Sequence, residues 1–269
     1  MRPSILKSFN PDILVEMIEM AYSLENWDKM IETADILYRC VQALYGEWQY
    51  RKAMKLEEFP SQLDQPLVYY YGFSHHMRGI AYLEKEEYEQ AKAWVDMYAE
   101  LGWMEGLDDK GLEVVAEFRF LAQAIRYAID LMSGKADVLD SYVDFLRENP
   151  EELLPGLNMI LRAALKYGYD VDGVLHSFAE QMEEFSAYED NQAHYYLFSH
   201  QVALYKAQTG QRCKALTQVV ETVRIAHHTG RDNYIGQSLA LFEWLRDTAA
   251  EEQIQEIRAI VHEAWCNKA

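Results

Sequence analysis

The stretch FSHHMRGIAYLEKEEYEQAKAWVDMYAELG, residues 73–102, limits what this chain can fold into more than any other. Apolar residues recur at helical spacing on both sides of Lys85-Glu86-Glu87, which predicts two antiparallel helices joined by a short turn. The small residues Gly79 and Ala91 let those helices cross closely, while Tyr82 fills the gap beside Gly79 and Tyr88 wedges into the turn. Such a hairpin cannot bury its apolar face alone, so neighbours must stack on it.

Gly79, Tyr82 and Ala91 stand at the spacing of a tetratricopeptide repeat (TPR), and the rest of the chain reads in a similar, more degenerate period. A first helix is expected from Pro11 to Leu24, with Asn10 as its cap. Ala21, Tyr22 and Trp27 suggest a looser copy of the repeat with a turn one residue shorter. A long helix follows towards Met54, and then Glu57–Pro66, whose prolines mark a hinge or protruding loop. Beyond the central hairpin, a long helix ends at Ser133-Gly134 and its partner stops at Asn149-Pro150. LLPGLNMILRAALKYG with VDGVLHSFAEQMEEF forms a fourth pair; HYYLFSHQVALYKAQTG with RCKALTQVVETVRIAHHTG forms a fifth, in which Tyr205 and Ala215 echo Tyr82 and Ala91. NYIGQSLALFEWLRDT with EEQIQEIRAIVHEAW closes the chain. The fold expected is all-α, a right-handed α-solenoid of about six TPR-like hairpins. Residues 1–56 form an N-terminal helical pair, a cap or effector-contact module; residues 57–66 form the hinge, and residues 67–269 form the repeat domain with a capping pair.

Lys and Arg number 25 against 44 Asp and Glu, a formal net charge of −19. With no basic stripe to offset it, that charge argues against nucleic acid and anionic membrane as partners. Cys40, Cys213 and Cys266 are scattered and odd in number, which fits a reducing compartment rather than a disulfide framework. No apolar run approaches the ~20 residues of a membrane span, and the N-terminal stretch has no cleavage signature. A cytoplasmic protein is the expectation, and a homodimer stays open.

No phosphate-binding loop, nucleophile elbow, zinc-protease or calcium-loop motif is present, so no enzyme activity and no cofactor are expected. The adjacent pairs His75-His76 and His227-His228 diverge by about 100° on a helix and suit a metal poorly. Arginine placement is more informative. Arg78, Arg119, Arg126 and Arg162 all fall on the first helices of their pairs, which line the concave wall of a TPR array. Gln123 and Asn158 sit nearby with amide groups able to pair a peptide backbone. Tyr70, His194 and Tyr195 offer aromatic walls. These nine residues make a candidate groove for a short peptide or protein segment. The competing reading is that the arginines neutralise adjacent glutamates and the aromatics fill the core.

The stretches PSILKSFNPDILVEMIEMAY, PLVYYYGFSHHMRGIAY, ELGWMEGLDD and RENPEELLPGL, with the central repeat, give the chain a family resemblance. It resembles the TPR portion of the Rap/PlcR-type (RRNPP) peptide-pheromone receptors of Gram-positive bacteria. The resemblance implies a regulator that binds a short peptide in its concave groove, changes superhelical pitch, and signals to transcription or to a partner protein. Residues 1–56 show no helix-turn-helix and no basic recognition helix, so output through a protein partner is expected. The alternative is a TPR-type interaction scaffold with no small peptide ligand.

Overall fold

The computed structural model describes residues 10–56, 63–187, 189–228 and 232–266. These residues are all-helical, with thirteen α-helices and three short 3-10 turns and no strand among the described residues. No described helix is long and apolar enough to cross a membrane. The chain divides into two compact units, residues 1–133 and 134–269.

The first unit holds α1 (Pro11–Ser23), α2 (Trp27–Ala53), α3 (Leu67–Glu84), α4 (Tyr88–Tyr98) and α5 (Asp109–Met132). Local chemistry sets the starts. Asn10 Oδ1 accepts the Asp12 N–H at 2.9 Å, Asn26 Oδ1 accepts that of Lys29 at 3.1 Å, and Asp108 Oδ1 accepts that of Gly111 at 2.8 Å. The hinge expected at 57–66 lies mostly outside the described residues, which resume at Leu63. Helix α3 is the centre of this unit and packs against α1, α2, α4 and α5. Eleven of its eighteen residues are buried, so its apolar surface runs around the helix rather than along one stripe.

The second unit holds α6 (Leu139–Glu148), α7 (Leu153–Tyr167), α8 (Asp172–Ser177), α9 (Ala179–Ala187), α10 (Glu189–Gln208), α11 (Arg212–His228), α12 (Asp232–Leu245) and α13 (Glu251–Cys266). Its core gathers around Ala203, Ala215, Val219, Val223 and Leu245, all fully buried. The fourth pair differs from expectation. VDGVLHSFAEQMEEF is broken at buried Phe178 into α8 and α9, and α7 packs chiefly on α10. Gly168, in the left-handed region at φ 74°, ends α7, and its N–H reaches Ala164 O at 2.8 Å.

Three hairpins close with one turn. Glu25, Glu86 and Gly210 take positive φ, at 53°, 60° and 79°. The next residue's N–H then bonds back five positions: Asn26 to Ala21 at 2.9 Å, Glu87 to Tyr82 at 2.8 Å, Gln211 to Lys206 at 2.8 Å. This shared geometry corrects the sequence register twice. Ala21, not Tyr22, stands where Tyr82 stands, so the first turn is not shorter than the central one. Lys206 takes that place in α10, while Tyr205 turns its hydroxyl to accept the Val171 N–H at 3.0 Å. Met30, Ala91 and Ala215 occupy equivalent positions in the following helices, and all are fully buried.

Candidate functional site

Tyr71, His75, Arg78 and Tyr82 follow the i, i+4, i+7, i+11 spacing of one face of α3. Tyr38 of α2 and Trp94 of α4 close over that face. Arg78 is 2% exposed, with its guanidinium carbon 4.5 Å from the Trp94 ring and 5.2 Å from the Tyr38 ring. Its Nη2 donates to Asp35 Oδ1 at 3.1 Å. Two aromatic faces and one carboxylate replace the water this cation has lost. His75, at 1% exposure, lies 4.8 Å from Tyr38 and 4.7 Å from Tyr71 between ring centroids, and stacks on Trp94 at 5.5 Å. Neither of its ring nitrogens has a hydrogen-bond partner. Burial, assisted by the nearby Arg78 charge, pushes its pKa down to about 3, so the imidazole is neutral. This cluster ties α2, α3 and α4 together, and its charge is already held by the chain.

The remaining predicted residues of the first unit separate into two settings. Tyr70 is 1% exposed and offers no wall to a ligand; its hydroxyl donates to Asp12 of α1 and accepts the Gln65 N–H at 3.0 Å. Arg119 and Arg126 are exposed on α5. Arg119 grips Glu100 through Nε at 3.1 Å and Nη2 at 2.7 Å, and Arg126 Nη2 reaches Asp96 at 2.6 Å. The Arg119 bond holds the Glu100 carboxyl below its ordinary range. Gln123 is exposed between them in sequence. Arg119, Gln123 and Arg126 therefore share an edge of α5, whereas Arg78, on α3, is enclosed by α2 and α4. Within this unit Arg78 does not share a surface with Arg119 and Arg126, because α3 is covered from several sides.

In the second unit, Asn158 and Arg162 lie on α7, and Arg162 Nη1 points at Met159 Sδ at 3.6 Å. Tyr195, half-buried on α10, packs against the core and lies 5.5 Å from the Phe198 ring. His194 falls outside the residues whose side chains are described. Near the ends of α7 and α10, Gln208 Nε2 donates to Leu165 O at 3.2 Å, so the two packed helices run the same way. Asn158 and Gln201 each stand seven residues, about two turns, before that contact on their own helices. Asn158 Oδ1 and Gln201 Oε1 are both buried without a hydrogen-bond partner.

Among the described residues, the other buried polar groups of α10 are satisfied. Ser199 Oγ pairs with Thr222 Oγ1 at 2.7 Å and accepts from Gln218 Nε2 at 2.7 Å. Tyr196 Oη pairs with Ser238 Oγ at 3.0 Å, and Ser238 Oγ with His200 Nδ1 at 3.2 Å. Against that well-paired network, two acceptors without donors stand out. Gln201 was missed in the sequence, though it interrupts an apolar face between Phe198, Val202 and Tyr205 where helical periodicity expects a hydrocarbon.

Among the described residues, no group of three or more His, Cys, Asp or Glu side chains is placed to hold a metal ion. No family model, curated protein or solved structure matches the chain.

Proposed function

We propose that the chain is a helical-repeat regulatory protein, its hairpins stacked as a right-handed TPR-like α-solenoid, that binds a short extended peptide against α7 and α10. The observation carrying this reading is that two buried amide oxygens on packed helices, Asn158 Oδ1 of α7 and Gln201 Oε1 of α10, have no donor. A buried acceptor left unpaired costs about 1–3 kcal/mol, and an extended peptide that parts the side chains covering these oxygens presents the N–H donors that would relieve that cost. Arg162, one turn beyond Asn158, supplies a cation for a peptide carboxylate, and Tyr195 supplies apolar contact. Binding would draw α7 and α10 into one arrangement and so shift the populations of conformers offered to a cytoplasmic partner. The −19 charge supports a protein rather than nucleic acid as that partner.

The test is a screen of short synthetic peptides against the chain, followed by calorimetry on Asn158→Leu and Gln201→Leu. If the oxygens serve a ligand, each variant keeps or gains thermal stability yet binds the selected peptide at least ~tenfold more weakly, about 1.4 kcal/mol. Unchanged affinity in both variants would remove the peptide from this site.

A further inference from the structure

Helix α1 carries a second apolar face that nothing described covers. Leu14, Ile18 and Ala21 are buried in the unit, but Ile13 (54% exposed), Met17 (44%), Met20 (64%) and Leu24 (71%) point outward. Their spacing of four, three and four residues aligns them in one stripe. Exposed Glu16 and Glu19 lie along one edge. At its C-terminal end the stripe runs into a cavity of about 390 Å³ lined by Leu24, Glu25, Asn26, Trp27, Asp28 and Lys85. Lys85 Nζ there reaches Asp28 Oδ1 at 2.6 Å, and Glu25 is the other acidic residue of the lining.

We infer that this outward face of α1 is a docking surface for a cationic amphipathic helix of a partner protein. An i, i+4, i+7, i+11 stripe is the shape a second helix packs against, and the flexible thioethers of Met17 and Met20 adapt to its side chains. Charge chooses the occupant. A second copy of this chain would bring Glu16 and Glu19 against their own kind within a molecule of net charge −19. Anionic lipid would be repelled by the same edge. A helix with lysine or arginine flanking an apolar stripe meets both the methionines and the carboxylates, and its terminal cation reaches Glu25 in the cavity.

The experiment uses the full chain and two labelled model helices of about 20 residues, long enough to hold helical structure, with one leucine stripe flanked by lysine or by glutamate. Fluorescence anisotropy should show the lysine-flanked helix binding at least ~tenfold more tightly than its glutamate twin. The decisive variant is Met17→Asp/Met20→Asp, at exposed positions. It adds negative charge, so mere electrostatic attraction would tighten binding, whereas loss of the docking stripe weakens it at least ~tenfold. Asn158→Leu/Gln201→Leu should bind the helix as the parent does, which keeps this surface separate from the α7–α10 site. Equal or tighter binding by the aspartate variant overturns the inference. So does a parent dimer, seen by sedimentation, that the aspartate variant abolishes, because a second copy then occupies the stripe. A lower melting temperature in that variant, with no helix binding by the parent, also overturns it, because the chain itself then covers the stripe.

Discussion

His75 is a polar side chain in a place where neither nitrogen finds a partner, and its worth to the fold depends on staying neutral. In the unfolded chain the imidazole titrates near 6.5, while burial lowers the folded value to about 3. Between those values only the unfolded state takes the proton, so stability is full above the upper limit and is lost as pH falls. At pH ~5 this one group should cost about 2 kcal/mol. His76, pushed by burial down to about 4, and His200, also lowered by burial, act in the same direction. His75→Phe keeps a flat ring against Tyr38, Tyr71 and Trp94 and removes the orphaned nitrogens. Urea unfolding should find it at least as stable as the parent at pH ~7.5 and better by about 2 kcal/mol at pH ~5. A pH profile identical to the parent's would show that His75 does not stay neutral in the fold.

At the scale of elements, two glycines of α3 that look alike in sequence behave differently. A Cβ at Gly79 would meet Val95 Cγ2 at 3.6 Å and Ala91 O at 3.7 Å, ordinary contact distances. At Gly72 it would overlap the ring of Phe118, itself 3% exposed. Gly79→Ala should therefore gain about 0.5–1 kcal/mol from helix propensity. Gly72→Ala has the same intrinsic gain but must displace Phe118, and a net loss of about 1–3 kcal/mol is expected. Thermal melts of the two variants check this, and matching shifts would mean that the α3–α5 crossing is looser than it looks. A larger side chain at Gly79 is another matter: Gly79→Leu has to push Val95 and Trp94 aside, and the close crossing expected there is a contact of methyl size.

At the scale of the molecule, many cations among the described residues are held in ion pairs. Arg78 is buried on Asp35, Arg119 and Arg126 sit on Glu100 and Asp96, and Lys92 and Arg224 hold Asp130 and Glu256. What remains outward is mostly negative, consistent with a net charge of −19. Self-repulsion of that size is screened as the Debye length falls from ~30 Å at 0.01 M salt to ~8 Å at 0.15 M. The melting temperature should rise over that range, and duplex DNA should show no sequence-selective shift in a gel at the higher salt. A falling melting temperature would mean that the surface ion pairs outweigh the repulsion. Sub-micromolar selective binding would mean that a basic surface forms in this acidic chain after all.

Much of the helical layout was legible because its signals are local. Asn10 before Pro11 and the polar turn at Lys85–Glu87 each act within a few residues of the chain. The central hairpin was legible for the same reason: Gly79, Tyr82 and Ala91 lie on consecutive helices, and their spacing reports a nearby crossing. Whether an arginine faces a groove or the interior depends on which helices cover its face, and that is a long-range matter. Arg78 and Arg119 both fall on the first helix of an expected pair, yet Tyr38 and Trp94 enclose the first while the second stays in water beside Glu100. The fourth pair went astray likewise, since α7 finds its packing surface on α10, across the intervening α8 and α9. The orphaned oxygens of Asn158 and Gln201 were invisible for the same reason. An amide's type is written in the sequence, but whether a donor reaches it is decided by every helix that packs around it.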